Sequence, residues 1–301
     1  MSRTYADFLP LPLDGCPVPT TTWFDWRGRR VHVARAPRPG APRVLGIHGA
    51  GGHVGALWPY AALAARDDVE VVFPDLPLYG RTVEPRPGAV RYDDWIDLLC
   101  DLVREEKRTD PRPLVLLGAS MGGMLAYEVA ARTGLVDHVV ATCLLDTADP
   151  DARAAAARFG PMGRYAPWLL AGCAGRSPLG HLRVPVGWVA DLGRMSREPE
   201  LSRLCATDPL GGATRVPLGL LASWFRHVAP APEAYSACPV TLAHPAADTW
   251  TPIELGVRFL DRVTGAPTRL VPLEGCGHFP VEQPGLDVLV ATVREVVDAL
   301  R

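Results

Sequence analysis

The sequence predicts an α/β protein: a mostly parallel sheet with helices on both faces and a helical insertion late in the chain. Three observations predict it. Short apolar runs bounded by glycine and proline alternate with longer helical patterns up to residue 147, as a sheet buried on both faces requires. The alternation stops over 148–235 and resumes over 236–301. With 48% hydrophobic and 21% charged side chains, the 301 residues also carry ample material for a large core, which excludes disorder.

The elements follow in order. Runs of β-formers at 21–26 and 30–35 flank the turn Arg27-Gly28-Arg29 and predict a hairpin forming an antiparallel edge. After a Pro/Gly linker at 36–42, strands are predicted at 44–48, 69–73, 114–117 and 139–145. Helices are predicted between them at 57–65, 92–107 and 121–132. The most hydropathic window, 113–131, is broken by Gly118-Ala119-Ser120-Met121-Gly122-Gly123 and carries Glu128. It reads as a buried strand turning into a helix, not as a membrane span. Within the irregular stretch, 151–158 and 216–228 read as helical around an aromatic, Gly/Pro-rich middle. Strands at 239–244 and 268–273 and a helix at 286–300 then complete the first pattern. The chain therefore divides into a core, 1–147 and 236–301, and an insertion, 148–235, rather than two separate domains.

A formal charge of −2, from 31 basic and 33 acidic residues, gives no footprint for a phosphate backbone, so nucleic acid is not expected as a partner. Seven cysteines lie scattered without a CxxC pair, which reads as reduced thiols and a cytoplasmic location. The opening stretch, Met1 to Pro10, lacks the continuous apolar run of a secretion signal. No integral membrane association is expected.

Chemistry concentrates in four places. Gly118-Ala119-Ser120-Met121-Gly122 follows a predicted strand and opens a helix, the setting in which a sharp turn projects a serine toward a base. Small neighbours are needed because a Cβ at 118 or 122 would crowd that turn. His48-Gly49-Ala50-Gly51-Gly52 follows another strand; its backbone can aim an N–H at a developing oxyanion, with the Met121 N–H supplying a second. It lacks the Lys and Ser/Thr of a phosphate loop. Gly275-Cys276-Gly277-His278-Phe279-Pro280 follows the last strand and offers His278 as the base, with His53 and His244 as rivals. Asp248 follows the strand at 239–244 and gives the chain order Ser, Asp, His. Asp146 is its rival, and Asp248 also suits a helix N-cap. Asp75 reads as a strand-end residue that shapes its loop.

These motifs, with Asp75-Leu76-Pro77-Leu78-Tyr79-Gly80, Ala246-Ala247-Asp248 and Gly277-His278-Phe279, resemble those of serine hydrolases of the α/β-hydrolase superfamily. The resemblance covers residues 21–147 and 236–301 and points to the monoacylglycerol lipase, lysophospholipase and esterase branches. It implies an eight-stranded, mostly parallel sheet with a helical lid inserted after the sixth strand. It further implies Ser120 as nucleophile, His278 as base, Asp248 as acid, and an oxyanion hole from the Ala50 and Met121 N–H groups. Leu78 departs from the pattern, standing where these proteins often carry glycine. Serine rather than aspartate at the elbow disfavours epoxide hydrolase and haloalkane dehalogenase chemistry.

The expected activity is cleavage of a carboxylic ester of a small, largely apolar substrate through an acyl-serine, with no metal and no cofactor. Thioester or lactone hydrolysis, acyl transfer, C–C bond hydrolysis and cofactor-free perhydrolysis use the same triad. A non-catalytic ligand receptor on the same scaffold is the reading from another class. For the substrate, Trp168, Trp188, Trp224 and Phe225, with Tyr165, Leu169, Leu170 and Met195, are candidates for an apolar wall above the serine. Arg164, Arg183, Arg194 and Arg203 receive no role in an arginine-rich chain.

Overall fold

The computed structural model describes residues 3–10, 13, 15–64, 69–175 and 177–301. Strands β1 (Thr20–Trp26), β2 (Arg29–Ala36), β3 (Arg43–Ile47), β4 (Glu70–Pro74), β5 (Leu114–Gly118) and β6 (His138–Ala141) come first. A separate ribbon, β7 (Arg183–Pro185) with β8 (Arg215–Pro217), lies in the insertion, and β9 (Val240–Pro245) and β10 (Thr268–Leu273) follow it. The eight-stranded sheet runs β1-β2-β4-β3-β5-β6-β9-β10. Among the described residues, only the pairings of β2, with β1 and with β4, are antiparallel in this sheet.

The helices are α1 (Val54–Ala64), α2 (Tyr92–Thr109), α3 (Met121–Thr133), α4 (Pro150–Ala156), α5 (Ala166–Leu169), α6 (Pro199–Thr207), α7 (Leu218–Phe225), α8 (Ile253–Leu260) and α9 (Gly285–Asp298). The expected end of the first helix at Ala65 lies outside the described residues. Strand alternation sorts the core into two layers. Val44, Val115, Val140 and Ala243 pack with α1 and α9 on one face, and Leu45, Leu116, Val139 and Leu242 pack with α2, α3 and α8 on the other. Each fully buried Leu, Ile or Val contributes roughly 1.5–3 kcal/mol relative to exposure.

Helix α2 shows how sequence sets one of these elements. Trp95, Ile96, Leu99, Leu102 and Val103 recur at helical spacing and are all buried. Asp94 accepts the Arg91 N–H at the start, and Lys107 and Arg108 close the end, in line with the helix dipole. Near the end of α2, Glu106 lies in a largely buried network. Arg43 reaches Glu106 at 3.2 Å and Glu70 at 3.4 Å, Arg112 reaches Glu70 at 2.5 Å, and Arg35 pairs with Glu106.

Register carries the chemistry-bearing loops to one edge. Ile47 pairs with Gly118, Gly118 with Ala141, Ala141 with Leu242, and Pro245 with Leu273. The turns after β3, β5, β9 and β10 therefore leave the sheet side by side at its carboxyl edge, where open α/β sheets bind ligands.

Two local expectations are corrected. The helix expected over 216–228 is β8 followed by α7, because Pro217 lacks a backbone donor and sits at the α7 N-cap. The strand expected to reach Leu145 stops at Ala141, and the next residue turns its hydroxyl toward the Ser120 N–H.

Candidate active site

Ser120 stands between β5 and α3 with φ 56° and ψ −125°, a conformation that costs on the order of 1–3 kcal/mol for a non-glycine residue. The surroundings enforce it. Its N–H donates to Thr142 Oγ1 at 3.0 Å. A Cβ on Gly118 would lie 2.2 Å from Gly122 O, and one on Gly122 would lie 2.2 Å from Ile47 O. Strand, turn and helix thus meet too closely for larger residues, and the serine hydroxyl projects out of the backbone path.

The imidazole of His278 meets that hydroxyl. His278 Nε2 lies 2.8 Å from Ser120 Oγ, and Nδ1 lies 2.7 Å from Asp248 Oδ2. Asp248 also accepts the Trp250 N–H at 2.7 Å, the Thr251 N–H at 3.1 Å and the Thr251 hydroxyl at 2.6 Å. Burial opposes charge on this carboxyl, but the His278 hydrogen bond, the His278 charge and the Thr251 donors prevail and hold its pKa down to about 2. An ionised acceptor fixes the proton on Nδ1 and leaves the Nε2 lone pair facing Ser120 Oγ. The ring can therefore take the serine proton while Asp248 stabilises the imidazolium.

Glycines shape the His278 turn in two different ways. Gly275 has φ +78°, the left-handed region. Gly277 admits the insertion, since a Cβ there would sit 3.0 Å from Arg197 N. The Phe279 N–H then donates to Met195 O at 2.6 Å, joining this turn to the insertion.

The β3–α1 loop closes the other side. A Cβ on Gly49 would lie 2.9 Å from Ser120 Cβ and 3.2 Å from Met121 N, so the loop lies directly on the elbow. His48 holds it: Nε2 accepts the Leu76 N–H at 2.9 Å, so Nδ1 carries the proton and donates to Gly49 O at 2.8 Å. Burial pushes this imidazole down to about 4, keeping it neutral and suited to that double role. Met121 begins α3, where an N–H lacks an intrahelical partner, and Ala50 borders the same space.

Two cavities meet at Ser120, His278 and Ala50. The first runs between α1 and α9, past Leu57, Ala61, Leu289 and Val293. The second runs beneath the insertion, past Tyr79, Trp95, Val186 and Leu220. Trp224 and Phe225 line the second, and Met195 lines the first. Trp168 and Trp188 do not line either: they are 77% and 64% exposed, which corrects their expected place in the wall. Tyr165 and Leu169 are exposed too, because short turns at 160–173 hold these side chains away from the core.

Sequence reasoning missed Tyr5 and Trp250. Tyr5 walls the first cavity from the far N-terminal segment; Trp250 borders the second, two residues after Asp248. The rivals have other partners. His53 Nε2 bonds Asp208 Oδ2 at 2.8 Å, His244 Nδ1 bonds Pro245 O at 3.0 Å, and Asp146 accepts the Ala148 N–H at 2.8 Å. Asp75 shapes its loop as expected, accepting N–H groups from Val54 and Arg81 at 2.7 and 2.8 Å. Among the described residues, no helix is long and apolar enough to cross a membrane.

Fold and site together define a hydrolase-type α/β protein, and the chain belongs to the alpha/beta hydrolase family, whose model matches residues 44–291. It is similar to solved structures of a monoacylglycerol lipase from Paleococcus ferrophilus (22% identity, TM-score 0.68, covering 89% of this chain and 98% of that one). A soluble variant of the Saccharomyces cerevisiae monoglyceride lipase, in complex with a substrate analogue, superposes with TM-score 0.73 at 17% identity, covering 99% and 98% of the two chains. Human protein phosphatase methylesterase 1 is 29% identical over 110 residues, 36% of this chain and 28% of that protein.

Proposed function

We propose that the protein is a serine hydrolase that cleaves a carboxylic ester through an acyl-serine intermediate. The reading rests on one observation above all: the unbroken hydrogen-bonded series from Ser120 Oγ through His278 to Asp248 at the strained elbow. Similarity to two lipases and a methylesterase favours an ester over other acyl bonds.

In this mechanism Ser120 Oγ attacks the ester carbonyl while His278 Nε2 takes its proton. The Ala50 and Met121 N–H groups stabilise the oxyanion, worth about 3–4 kcal/mol for a single donor in a comparable site. His278 then protonates the departing alkoxide. Water, deprotonated by the same ring, attacks the acyl-serine and releases the acid. Asp248 stays ionised and keeps the ring oriented. The insertion 148–235 acts as the lid, because α7 and the β7–β8 region wall the site on the side away from the sheet.

A fluorophosphonate probe should label Ser120, and Ser120→Ala should lose both labelling and at least 10⁴-fold in kcat. Wild-type esterase activity surviving in Ser120→Ala would overturn the assignment.

A further inference from the structure

Resting on the serine hydrolase reading, we infer that the substrate is an uncharged ester bearing an apolar group on each side of the scissile bond, one group in each cavity. The two cavities share Ala50, Ser120 and His278 but are otherwise walled by different elements. One passes between α1 and α9 on one face of the sheet; the other lies between the insertion and α2. An ester carbonyl held at Ser120 necessarily sends its acyl and alkoxy parts in two directions. A substrate with a single apolar arm fills one cavity and leaves the other without an occupant.

The walls decide the polarity of both arms. No Asp, Glu, Lys or Arg lines either cavity among the described residues. A carboxylate, phosphate or ammonium group entering would be desolvated without a counter-charge, which is strongly unfavourable. Several of the polar side chains are engaged within the protein. The Tyr5 hydroxyl donates to Asp208 at 2.9 Å, the Tyr60 hydroxyl to Tyr5 O at 3.1 Å and the Trp95 N–H to Pro77 O at 3.2 Å. The Thr251 hydroxyl donates to Asp248 at 2.6 Å. The Trp250 indole N–H is buried without a partner among the described residues, and Tyr79, Tyr92 and Trp224 also border the second cavity. Walls this apolar favour an alkyl arm over the diol of a glyceryl ester, because burying methylenes is favourable while each buried hydroxyl needs a partner.

The test compares hexyl hexanoate, glyceryl monohexanoate, hexanoylcholine and monohexyl adipate with the purified full chain. Expected is a kcat/KM for hexyl hexanoate at least tenfold above each of the others. In parallel, Leu289→Trp narrows the first cavity and Val189→Trp the second, with Leu289→Phe and Val189→Phe as milder substitutes if either fails to fold. One position should reduce the preference for hexanoyl over acetyl esters by tenfold or more, and the other the preference for hexyl over methyl esters. Equal or better cleavage of a charged or glyceryl ester overturns the inference, as does a pair of blocks that affects the same arm or neither. Labelling of Ser120 by a fluorophosphonate separates the two levels. If labelling succeeds and a charged ester wins, only the substrate class falls; if labelling and all ester cleavage fail, the serine hydrolase reading falls with it.

Discussion

The indole of Trp250 packs against the imidazole of His278, with ring centroids 4.7 Å apart and planes inclined at 50°. Trp250 is itself buried, so the His278 ring is held by a rigid wall as well as by its two hydrogen bonds. Positioning of this kind matters because a displacement of about 1 Å can cost on the order of 10²-fold in rate. Trp250→Ala should lower kcat at least tenfold and slow fluorophosphonate labelling in parallel. Trp250→Phe, which keeps an aromatic face, should recover most of both. Equal losses in the two variants would remove the packing argument.

Asp248 makes acid stability a readout of the site. Its folded pKa of about 2 lies below its ordinary value, so the unfolded chain binds the proton more readily. The stabilisation is full above pH ~4 and is lost as pH falls through about 2. With the side chain 1% exposed, the contribution is on the order of 2 kcal/mol. Denaturant unfolding of Asp248→Asn should therefore show a flatter dependence between pH 2 and 4 than the parent. Activity of the same variant at neutral pH should fall by about 10⁴-fold, because an amide no longer fixes the Nδ1–H tautomer.

The parts of the fold written in local pattern were legible in the sequence. Val44, Leu45 and Ile47, or Val115, Leu116 and Leu117, form unbroken apolar runs because both sheet faces are covered. Ser120, His278 and Asp248 were legible because elbow, glycine turn and strand end leave marks within a few residues, and the structure brings all three together. What was not legible depends on direction. Trp168 and Trp188 have the composition of a cavity wall, but whether an aromatic in a one-turn α-helix or a 3₁₀ turn faces in or out is set by packing that local spacing does not encode. Tyr5 reaches the site across more than a hundred residues of separation from its partner Asp208, beyond any local signal. Trp250 was within reach of inspection, two residues from Asp248 and on the same turn.

Asp208 ties three distant segments together. Its carboxylate takes the His53 ring N–H at 2.8 Å, the Tyr5 hydroxyl at 2.9 Å and the Leu210 N–H at 2.9 Å. His53 directly precedes α1, just after the glycine loop, Tyr5 lies in the N-terminal segment, and Asp208 caps the C-terminus of α6. Asp208→Ala strands the His53 and Tyr5 donors in a largely buried place, which should cost about 2–4 kcal/mol of unfolding free energy. Asp208→Asn retains one acceptor and should cost less. Chemical denaturation of the two variants checks the order; a loss below 1 kcal/mol for Asp208→Ala would show the cluster to be energetically idle.

Leu78 occupies a backbone position made for glycine. The Tyr79 N–H donates to Leu76 O at 3.0 Å, closing a turn with Pro77 second and Leu78 third, and Leu78 has φ +87°. A turn with proline second and positive φ third is of type II, where a side chain at the third position is strained. Leu78 also packs partly against the main core, which offsets some of that strain. The consequence is an inverted order of mutational cost. Leu78→Gly loses the packing but relieves the backbone, and should change stability by less than about 1 kcal/mol. Leu78→Val keeps most of the apolar volume but places a β-branched residue at positive φ, and should cost about 2 kcal/mol or more. Thermal or denaturant unfolding ranks the two variants; a valine variant more stable than the glycine one would show that packing, not backbone conformation, governs this turn.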